Sequence, residues 1–296
     1  MRTTTSTLSS GHVFAECPRW HDGRLWFVDM HGHAVIAVDE HGESEVITEV
    51  PGRTGGIGWL PDGRLLVVQQ DARRILRLEP EGLVEHADLS GAVSSMLNDL
   101  WVDASGRAWV GEMGFDPEEF LADPAVVGTL MAERVDGPLD VPATSRVFAV
   151  EPDGSWRVAA EDLVFTNGIV VDENRGLLYV AETMGARLTV FDIGEDGELT
   201  GRREVPLGYA PDGIGLDGEG RLWVSDPLHL GAALVDADGT ELDRVGTDQL
   251  CLACAVGGED GQTLYLCTAP TTDSEECLRL RAARIDVASL VASAAP

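Results

Sequence analysis

Four residues with oxygen-bearing side chains lie at matching distances from copies of one recurring phrase in the sequence. Glu16, Asn98, Asn167 and Asp212 each precede a copy by seven to nine residues. Two carboxylates balance the charge of a divalent cation, and two amides complete its coordination without adding repulsion. The set predicts one divalent metal ion, with Ca²⁺ expected and Mg²⁺, Mn²⁺ or Zn²⁺ as alternatives. No His occupies these positions, which argues against a dedicated zinc site.

Each of these residues has a simpler interpretation when it is taken alone. Asn-Gly and Asp-Gly are common turn pairs, so a single Asn167 or Asp212 is more often a turn residue than a ligand. The common register across repeats is what favours a shared site.

The recurring phrase is a Gly-containing turn followed by a short apolar and aromatic run. Its copies are GRLWFVD from Gly23, GRLLVVQ from Gly63, GRAWVGE from Gly106, GLLYVAE from Gly176, GRLWVSD from Gly220 and QTLYLCT from Gln262. Four short strands with their turns occupy about 40 residues, which is the unit of a propeller blade. We therefore predict an all-β fold, a six-bladed β-propeller that forms a single domain over residues 1–296.

One place in each repeat is predicted to start the innermost strand and to face the central channel. We call it the channel position; counting back from the phrases assigns it to Glu16, Gly55, Asn98, Asn167, Asp212 and Cys254. Side chains from different blades can converge only there, so the metal site is expected at the channel mouth.

Two further features concern blade three and the closure of the ring. The step between the third and fourth phrases is longer than the others, which predicts an insertion at about 115–143. It is either a surface loop or a lid over the substrate. The last repeat lacks a fourth strand, and we expect residues 7–14 to supply it and to protect the sheet edge.

Composition excludes several classes of function. The chain has 51 acidic and 21 basic residues and a net charge of -30, which disfavours binding to nucleic acid or to a membrane surface. It contains no lysine, so Schiff-base chemistry, pyridoxal phosphate and a Walker loop are excluded. Without an apolar leader or spanning segment, a cytoplasmic protein is expected, as a monomer or weak homodimer that acts on a small molecule.

The five cysteines are interpreted as free structural thiols. Cys251 and Cys254 form a CxxC pair, but they lie in the apolar run LCLACAV, and Cys267 lies in another such run, TLYLCTA. Both runs read as buried strands, so the alternative of a zinc site is disfavoured. His21, His31, His33 and His41 cluster in sequence without the spacing of a metal motif, and surface roles are expected for them.

The chain resembles the family of regucalcin (senescence marker protein), gluconolactonase and luciferin-regenerating enzyme. Four ordered segments carry the resemblance: AECPRWHDGRLWFVD, LNDLWVDASGRAWVGEMG, TNGIVVDENRGLLYVAET and APDGIGLDGEGRLWVSD. The resemblance implies a metal held by Glu16, Asn167 and Asp212, and hydrolysis of lactones that are often derived from sugars. It also implies catalytic roles for Asp212, which would take a proton from water, and for Asn98, which would contact the metal-bound water or the substrate.

The substrate-binding residues expected from the resemblance are Met96, Asn98, Asp99 and Glu112. Met96 stands where sugar-lactonase members usually carry Arg, Asp99 is expected to support Asn98, and Glu112 replaces a residue that is commonly small. Cys17 follows Glu16 where Gly or Ser is usual. These departures predict a pocket that is less polar than one for an aldonolactone, unless another Arg reaches it from a loop.

The leading hypothesis is therefore a metal-dependent hydrolase of a lactone or a related cyclic ester, in which the metal polarises the carbonyl and water attacks it. Three alternatives stay open: a phosphotriesterase-type hydrolase at the same site, a non-catalytic calcium-binding protein, and a non-hydrolytic metal-dependent enzyme of specialised metabolism. Asp226 and Glu182 end second strands, where exposure to solvent is the simpler expectation.

Overall fold

The computed structural model describes residues 5–115, 137–139 and 141–290. Within these ranges, 24 strands form six antiparallel sheets of four strands each. The predicted all-β, six-bladed β-propeller is confirmed. The expected insertion at about 115–143 falls largely outside the described residues.

The first three blades follow the chain in order. Blade one contains β2 (Ala15–His21), β3 (Arg24–Asp29), β4 (Ala34–Val38) and β5 (Ser44–Glu49). Blade two contains β6 (Thr54–Trp59), β7 (Leu65–Gln69), β8 (Arg74–Glu79) and β9 (Gly82–Asp88). Blade three contains β10 (Leu97–Val102), β11 (Ala108–Glu112), β12 (Ser145–Val150) and β13 (Trp156–Leu163).

The last three blades complete the ring. Blade four contains β14 (Thr166–Asp172), β15 (Leu177–Glu182), β16 (Arg187–Ile193) and β17 (Leu199–Pro206). Blade five contains β18 (Ile214–Leu216), β19 (Leu222–Asp226), β20 (Gly231–Val235) and β21 (Glu241–Gly246). Blade six contains β22 (Leu250–Gly257), β23 (Thr263–Ala269), β24 (Ala283–Ser289) and β1 (Ser6–His12), and helix α1 (Ser274–Leu280) connects β23 to β24.

The first strand of each of blades one to five, and β22 in blade six, contacts its counterparts in both neighbouring blades, which places these six strands around the channel. Blade six closes the ring by pairing the two ends of the chain, since β1 runs antiparallel to β24 with Ser6 opposite Val287 and His12 opposite Ala283. The predicted N-terminal closing strand is confirmed, although it ends two residues earlier than expected.

The hydrophobic core lies between the blades. Successive side chains of a strand point to opposite faces of its sheet, so each second strand packs against two neighbouring blades. Leu178 contacts the core shared with blade three, whereas Tyr179 contacts the core shared with blade five. In the same way, Trp223 of blade five packs against blade six, whereas Val224 packs against blade four. The continuous apolar runs of the phrases follow from this burial on both faces.

The phrase itself begins with a turn that carboxylates stabilise. In blade three, Oδ1 of Asp103 accepts hydrogen bonds from the backbone N–H of Ser105 at 2.9 Å and of Arg107 at 3.0 Å. Gly106 between them has a φ of +88°, which glycine adopts without strain. Part of the acidic composition is therefore structural. No helix within the described residues is long and apolar enough to cross a membrane.

Candidate metal centre

Irregularities in the innermost strands create the channel positions. The pairing of first and second strands skips between Glu16 and Arg19 in blade one, between Leu97 and Leu100 in blade three, and between Thr166 and Ile169 in blade four. A β-bulge leaves an extra residue unpaired and redirects its side chain. Glu16, Asn98 and Asn167 all lie within or beside these bulges. Asp212 lies two residues before β18.

Backbone contacts between neighbouring blades show which residues share the ring of channel positions. The N–H of Gly168 donates to the carbonyl of Asp212 at 3.2 Å, and the N–H of Gly213 donates to the carbonyl of Leu252 at 2.8 Å. Leu252 therefore holds the channel position of blade six. The assignment to Cys254 is wrong, because the residue that β22 leaves unpaired is Leu252, between Cys251 and Ala253, whereas Cys254 pairs with Leu266.

Hydrogen bonds fix the orientation of the Asn98 amide. Nε2 of Gln70 donates to Oδ1 of Asn98 at 3.1 Å, and Nδ2 of Asn98 donates to the carbonyl of Thr166 at 3.2 Å and to Oδ1 of Asn167 at 3.3 Å. Gln70 is fully buried, and its Oε1 has no hydrogen-bond partner among the described residues. An unpartnered buried oxygen beside these amides is consistent with a site that receives a further group.

The network continues from Asn167 to the carboxylate of blade five. Nδ2 of Asn167 donates to Oγ1 of Thr183 at 3.0 Å, and the Asn167 amide also hydrogen-bonds the side chain of Asp212. The structure therefore brings Asn98, Asn167 and Asp212 into one polar network that spans three blades.

The carboxylates of Glu16 and Asp212 lie together at the channel mouth, and their negative charges are unfavourable there without a cation. Burial raises the pKa of Glu16 well above its ordinary value, and the charge of Asp212 raises it further, although the N–H of Cys17 donates to Oε2 at 3.0 Å. Burial likewise raises the pKa of Asp212 to about 8, with a further contribution from Asp99. A divalent cation would offset this repulsion, so the donor set fits the ion that the sequence predicts.

The described residues contain no group of three or more His, Cys, Asp or Glu side chains arranged for a metal ion. The candidate centre has only two carboxylates, Glu16 and Asp212, and depends on amides for the rest. This composition distinguishes it from a zinc site built from His or Cys.

Asp99 is buried beneath the mouth and is already occupied by protein donors. Its carboxylate accepts from Nη2 of Arg19 at 3.0 Å, from the N–H of Leu100 at 2.8 Å and from the N–H of Ile169 at 3.2 Å. These bonds tie blades one, three and four together. They favour a supporting role for Asp99 over direct contact with a substrate.

The acidic residues that end the second strands are also buried. The side chain of Glu112 is fully buried, its Oε1 pairs with Nε of Arg146, and its Oε2 has no hydrogen-bond partner among the described residues. Its full burial argues against direct contact between Glu112 and a substrate. Glu182 pairs with Arg187 at 3.0 Å, and Asp226 pairs with Arg244 at 2.9 Å. The expectation that Glu182 and Asp226 are exposed is wrong, because each is fully buried with a guanidinium partner.

Met96 is half-buried at the mouth, and Arg53 approaches it from blade two. Nη1 of Arg53 lies 3.6 Å from Sδ of Met96. Arg53 precedes Gly55 by two residues, just as Met96 precedes Asn98 by two. We did not single out Arg53 from the sequence, but applying the same offset to repeat two would have found it. Phe14 and Phe165 occupy the corresponding places in blades one and four.

The fold and this arrangement define the class as a six-bladed propeller with an oxygen-rich channel mouth. Residues 14–270 match the family described as SMP-30/Gluconolactonase/LRE-like region, and the chain belongs to that family.

Relatives with established names agree with this assignment. The chain is 26% identical over 277 residues to 6-deoxy-6-sulfogluconolactonase of Pseudomonas putida, covering 89% of this chain and 86% of the relative. A gluconolactonase of Xanthomonas campestris has the same fold, with a TM-score of 0.72, 24% identity, and coverage of 97% of this chain and 94% of the other. A calcium-binding protein, regucalcin, from Agrobacterium tumefaciens also shares the fold, with a TM-score of 0.74, 16% identity, and coverage of 97% and 94%.

Proposed function

We propose that this protein is a divalent-metal-dependent hydrolase that opens a lactone or a related cyclic ester at the channel mouth around Asp212. The observation that carries the proposal is the pair of neighbouring carboxylates, the buried Glu16 and the half-buried Asp212, beside the amides of Asn98 and Asn167. Membership of a family that contains lactonases supports the reaction class.

Glu16, Asn167 and Asp212 would hold the cation. Ca²⁺ is the ion we propose first, because carboxylate and amide oxygens are its preferred ligands and Ca²⁺ tolerates irregular geometry. A regucalcin with the same fold is described as calcium-binding, which agrees with this choice. When bound, the cation would supply polarisation of the substrate carbonyl and stabilisation of the negative charge that develops on its oxygen.

The side chains of the chain carry out the remaining steps. Asp212 accepts a proton from the attacking water, whose oxygen bonds to the carbonyl carbon. The ring C–O bond then breaks, and the leaving oxygen takes up a proton, which gives an open-chain hydroxy acid. The amide of Asn98 donates one N–H to the carbonyl of Thr166 and the other to Oδ1 of Asn167, so Asn98 would contact the water or the substrate by exchanging one of these two bonds.

The walls of the mouth indicate the kind of lactone. Met96 and Phe165 are half-buried and would supply apolar surface, and Nη1 of Arg53 lies 3.6 Å from Sδ of Met96. We propose that Arg53 takes over from blade two the substrate contact that sugar-lactonase relatives make with an Arg in blade three. The pocket would then accept a lactone with one polar or anionic substituent and an apolar remainder.

Replacement of Asp212 tests the proposal. We expect Asp212→Ala to lower kcat/KM for the lactones of a substrate panel by at least about a hundredfold, because both a ligand and a proton acceptor are lost. Calorimetry should show loss of Ca²⁺ binding by the same variant. Asp243→Ala, at an exposed position on the outer strand of the same blade, is the matched control and should retain both.

Unchanged lactone turnover by Asp212→Ala would overturn the mechanism. Turnover of phosphotriesters by the wild-type protein, with no turnover of any lactone, would replace the proposed substrate class with the second hydrolase hypothesis. Tight Ca²⁺ binding without any esterase activity would favour a non-catalytic protein.

A further inference from the structure

The end of the channel opposite the candidate metal centre holds a cavity of about 370 Å³. Three indole rings from the far ends of innermost strands line it, namely those of Trp20, Trp59 and Trp101. Glu16 and Asn98 lie near the starts of β2 and β10, so most of the length of a strand separates the two sites. We propose that this cavity is a second ligand site, which binds a small organic cation such as a quaternary ammonium compound.

The tryptophans supply the first half of the recognition. A cation is attracted to the face of an indole ring, which has the most favourable quadrupole of the aromatic side chains. The chain already uses one of these rings in this way, since the guanidinium of Arg19 lies 4.9 Å from the centroid of Trp101. Arg19 does not make the cavity positive, because its Nη2 lies 3.0 Å from the carboxylate of Asp99.

Carboxylates supply the second half. Glu173 follows β14 directly, and its Oε1 accepts a hydrogen bond from the N–H of Ala104 at 2.7 Å, which holds the acid at the rim between blades three and four. Asp103 also lines the cavity, and it is fixed by its own turn. These two acids place negative charge beside the indole rings.

The one histidine of the lining is balanced as well. His21 stacks on Trp59 with ring centroids 3.8 Å apart, and its Nε2 lies 3.4 Å from a carboxylate oxygen of Asp22. The lining therefore contains aromatic faces, matched basic groups and two further carboxylates. This combination complements a compact cation better than a neutral or anionic ligand, and the volume is within the range of small-molecule pockets.

Titration with choline tests the site. The matched control ligand is the uncharged analogue of choline, in which a carbon atom replaces the nitrogen. The readout is the shift of the indole N–H resonances in nitrogen-labelled protein at constant ionic strength. We expect choline, but not the analogue, to shift the Trp59 and Trp101 signals saturably. Trp59→Phe assigns one of these signals and keeps a ring in place.

Charge variants give the second readout. Glu173→Gln should weaken choline binding by about two- to fivefold, the effect of losing one exposed ion pair. Glu161→Gln, on the outer strand of blade three, should leave binding unchanged. Both residues are exposed, so both variants are expected to fold.

Equal binding of choline and its analogue would overturn the cation site and leave an apolar pocket. The absence of saturable shifts with choline, or unaltered choline affinity in Glu173→Gln, would also contradict it. None of these outcomes depends on lactone hydrolysis, so the test is independent of the function proposed above.

Discussion

Gln70 determines what the Asn98 side chain can offer at the channel mouth. Because Nε2 of Gln70 donates to Oδ1 of Asn98, the amide oxygen is engaged, and the two N–H groups point to the carbonyl of Thr166 and to Oδ1 of Asn167. An amide in this orientation is a hydrogen-bond donor, whereas a metal ligand must present its oxygen. Oδ1 of Asn167 likewise accepts a hydrogen bond from Nδ2 of Asn98, so a cation bound by Asn167 would share that oxygen with Asn98.

The raised pKa of Asp212 has a consequence for stability. The ordinary pKa is 3.8, and in the folded protein it is about 8, so the folded state retains a proton that the unfolded state releases between these values. The free energy of unfolding must then fall as the pH rises through this window. We expect the Tm of the protein in chelator to fall from pH 5 toward about pH 8, as measured by calorimetry.

Two comparisons test the origin of this pH dependence. Asp212→Asn carries no titrating group at this position and should reduce the slope of Tm against pH, leaving the part that comes from Glu16, whose pKa burial also raises. Saturating Ca²⁺ should flatten it as well, because the cation replaces the proton between the carboxylates. An identical slope for the wild-type protein in chelator, the wild-type protein with Ca²⁺ and the variant would contradict the assignment of the effect to Asp212.

A substitution at Met96 tests which side of the mouth binds polar substituents. Met96→Arg places a guanidinium where sugar-lactonase relatives carry one, and we expect kcat/KM for hydroxylated lactones to rise by about tenfold relative to an unsubstituted lactone, the value of one or two hydrogen bonds. Arg53→Met should change the same ratio in the opposite direction. An unchanged ratio in both variants would show that neither residue contacts the substrate.

At the scale of elements, close packing of backbones sets the distance between channel positions. A Cβ on Gly168 would lie 2.6 Å from the nitrogen of Ile214 and 2.8 Å from the carbonyl oxygen of Asp212. No side chain fits there unless β14 and the segment before β18 move apart. This glycine therefore holds Asn167 and Asp212 at hydrogen-bonding distance.

Gly168→Ala should consequently weaken both fold and site. We expect a loss of about 1–3 kcal/mol in the free energy of unfolding, together with weaker Ca²⁺ binding. The matched control is Gly218→Ala in a turn of blade five, where an added Cβ meets nothing within 4 Å. That variant should change stability by less than about 0.5 kcal/mol. Similar losses in the two variants would show that the contact is not decisive.

The strands were more predictable than their irregularities. The phrases locate all six second strands, because burial on both faces gives continuous apolar runs that stand out in sequence. The bulges carry no such signal, since one extra residue leaves the composition unchanged. For this reason the count back from the last phrase reached Cys254 instead of Leu252. Burial of Glu182 and Asp226 was also missed. Their arginine partners, Arg187 and Arg244, lie at different distances along the sequence from the acids, so no sequence pattern reveals the ion pairs.

At the scale of the whole molecule, the interfaces between blades contain the cysteines. Cys251 and Cys254 pack between blades five and six, Cys17 packs between blades one and two, and Cys267 and Cys277 pack between blades six and one. Burial raises the pKa of each thiol, in the case of Cys277 to about 11. Thiols of this kind are unreactive while the blades stay together.

We therefore expect no cysteine of the native protein to react with a thiol reagent on the timescale of minutes, and all five to react after denaturation. Counting labelled thiols by mass spectrometry measures both states. Because the described residues contain no group of three or more His, Cys, Asp or Glu side chains arranged for a metal ion, we expect the cysteines to hold no zinc, and the denatured protein should release none from them. Rapid native labelling of Cys251 or Cys254 would contradict the packing of blade six.

Repeat spacing predicted the ring and its closure, and the family resemblance supplied the residues that we propose for the mouth. They did not predict the walls, because Arg53 reaches Met96 from another blade and that contact depends on the rotation between blades. The aromatic cavity at the opposite end was missed for the same reason. Trp20, Trp59 and Trp101 are far apart in sequence, and only closure of the ring brings them together.

The pairing of β1 with β24 also sets an order of events during synthesis. Ser6–His12 leaves the ribosome long before its partner Ala283–Ser289, because the strands of the first five blades are translated between them. During that interval five blades can assemble in turn, while β1 keeps an unpaired edge. A neighbouring nascent chain can capture such an edge. The emergence of β24 thus closes the ring and ends the period in which this edge is most exposed to misassembly.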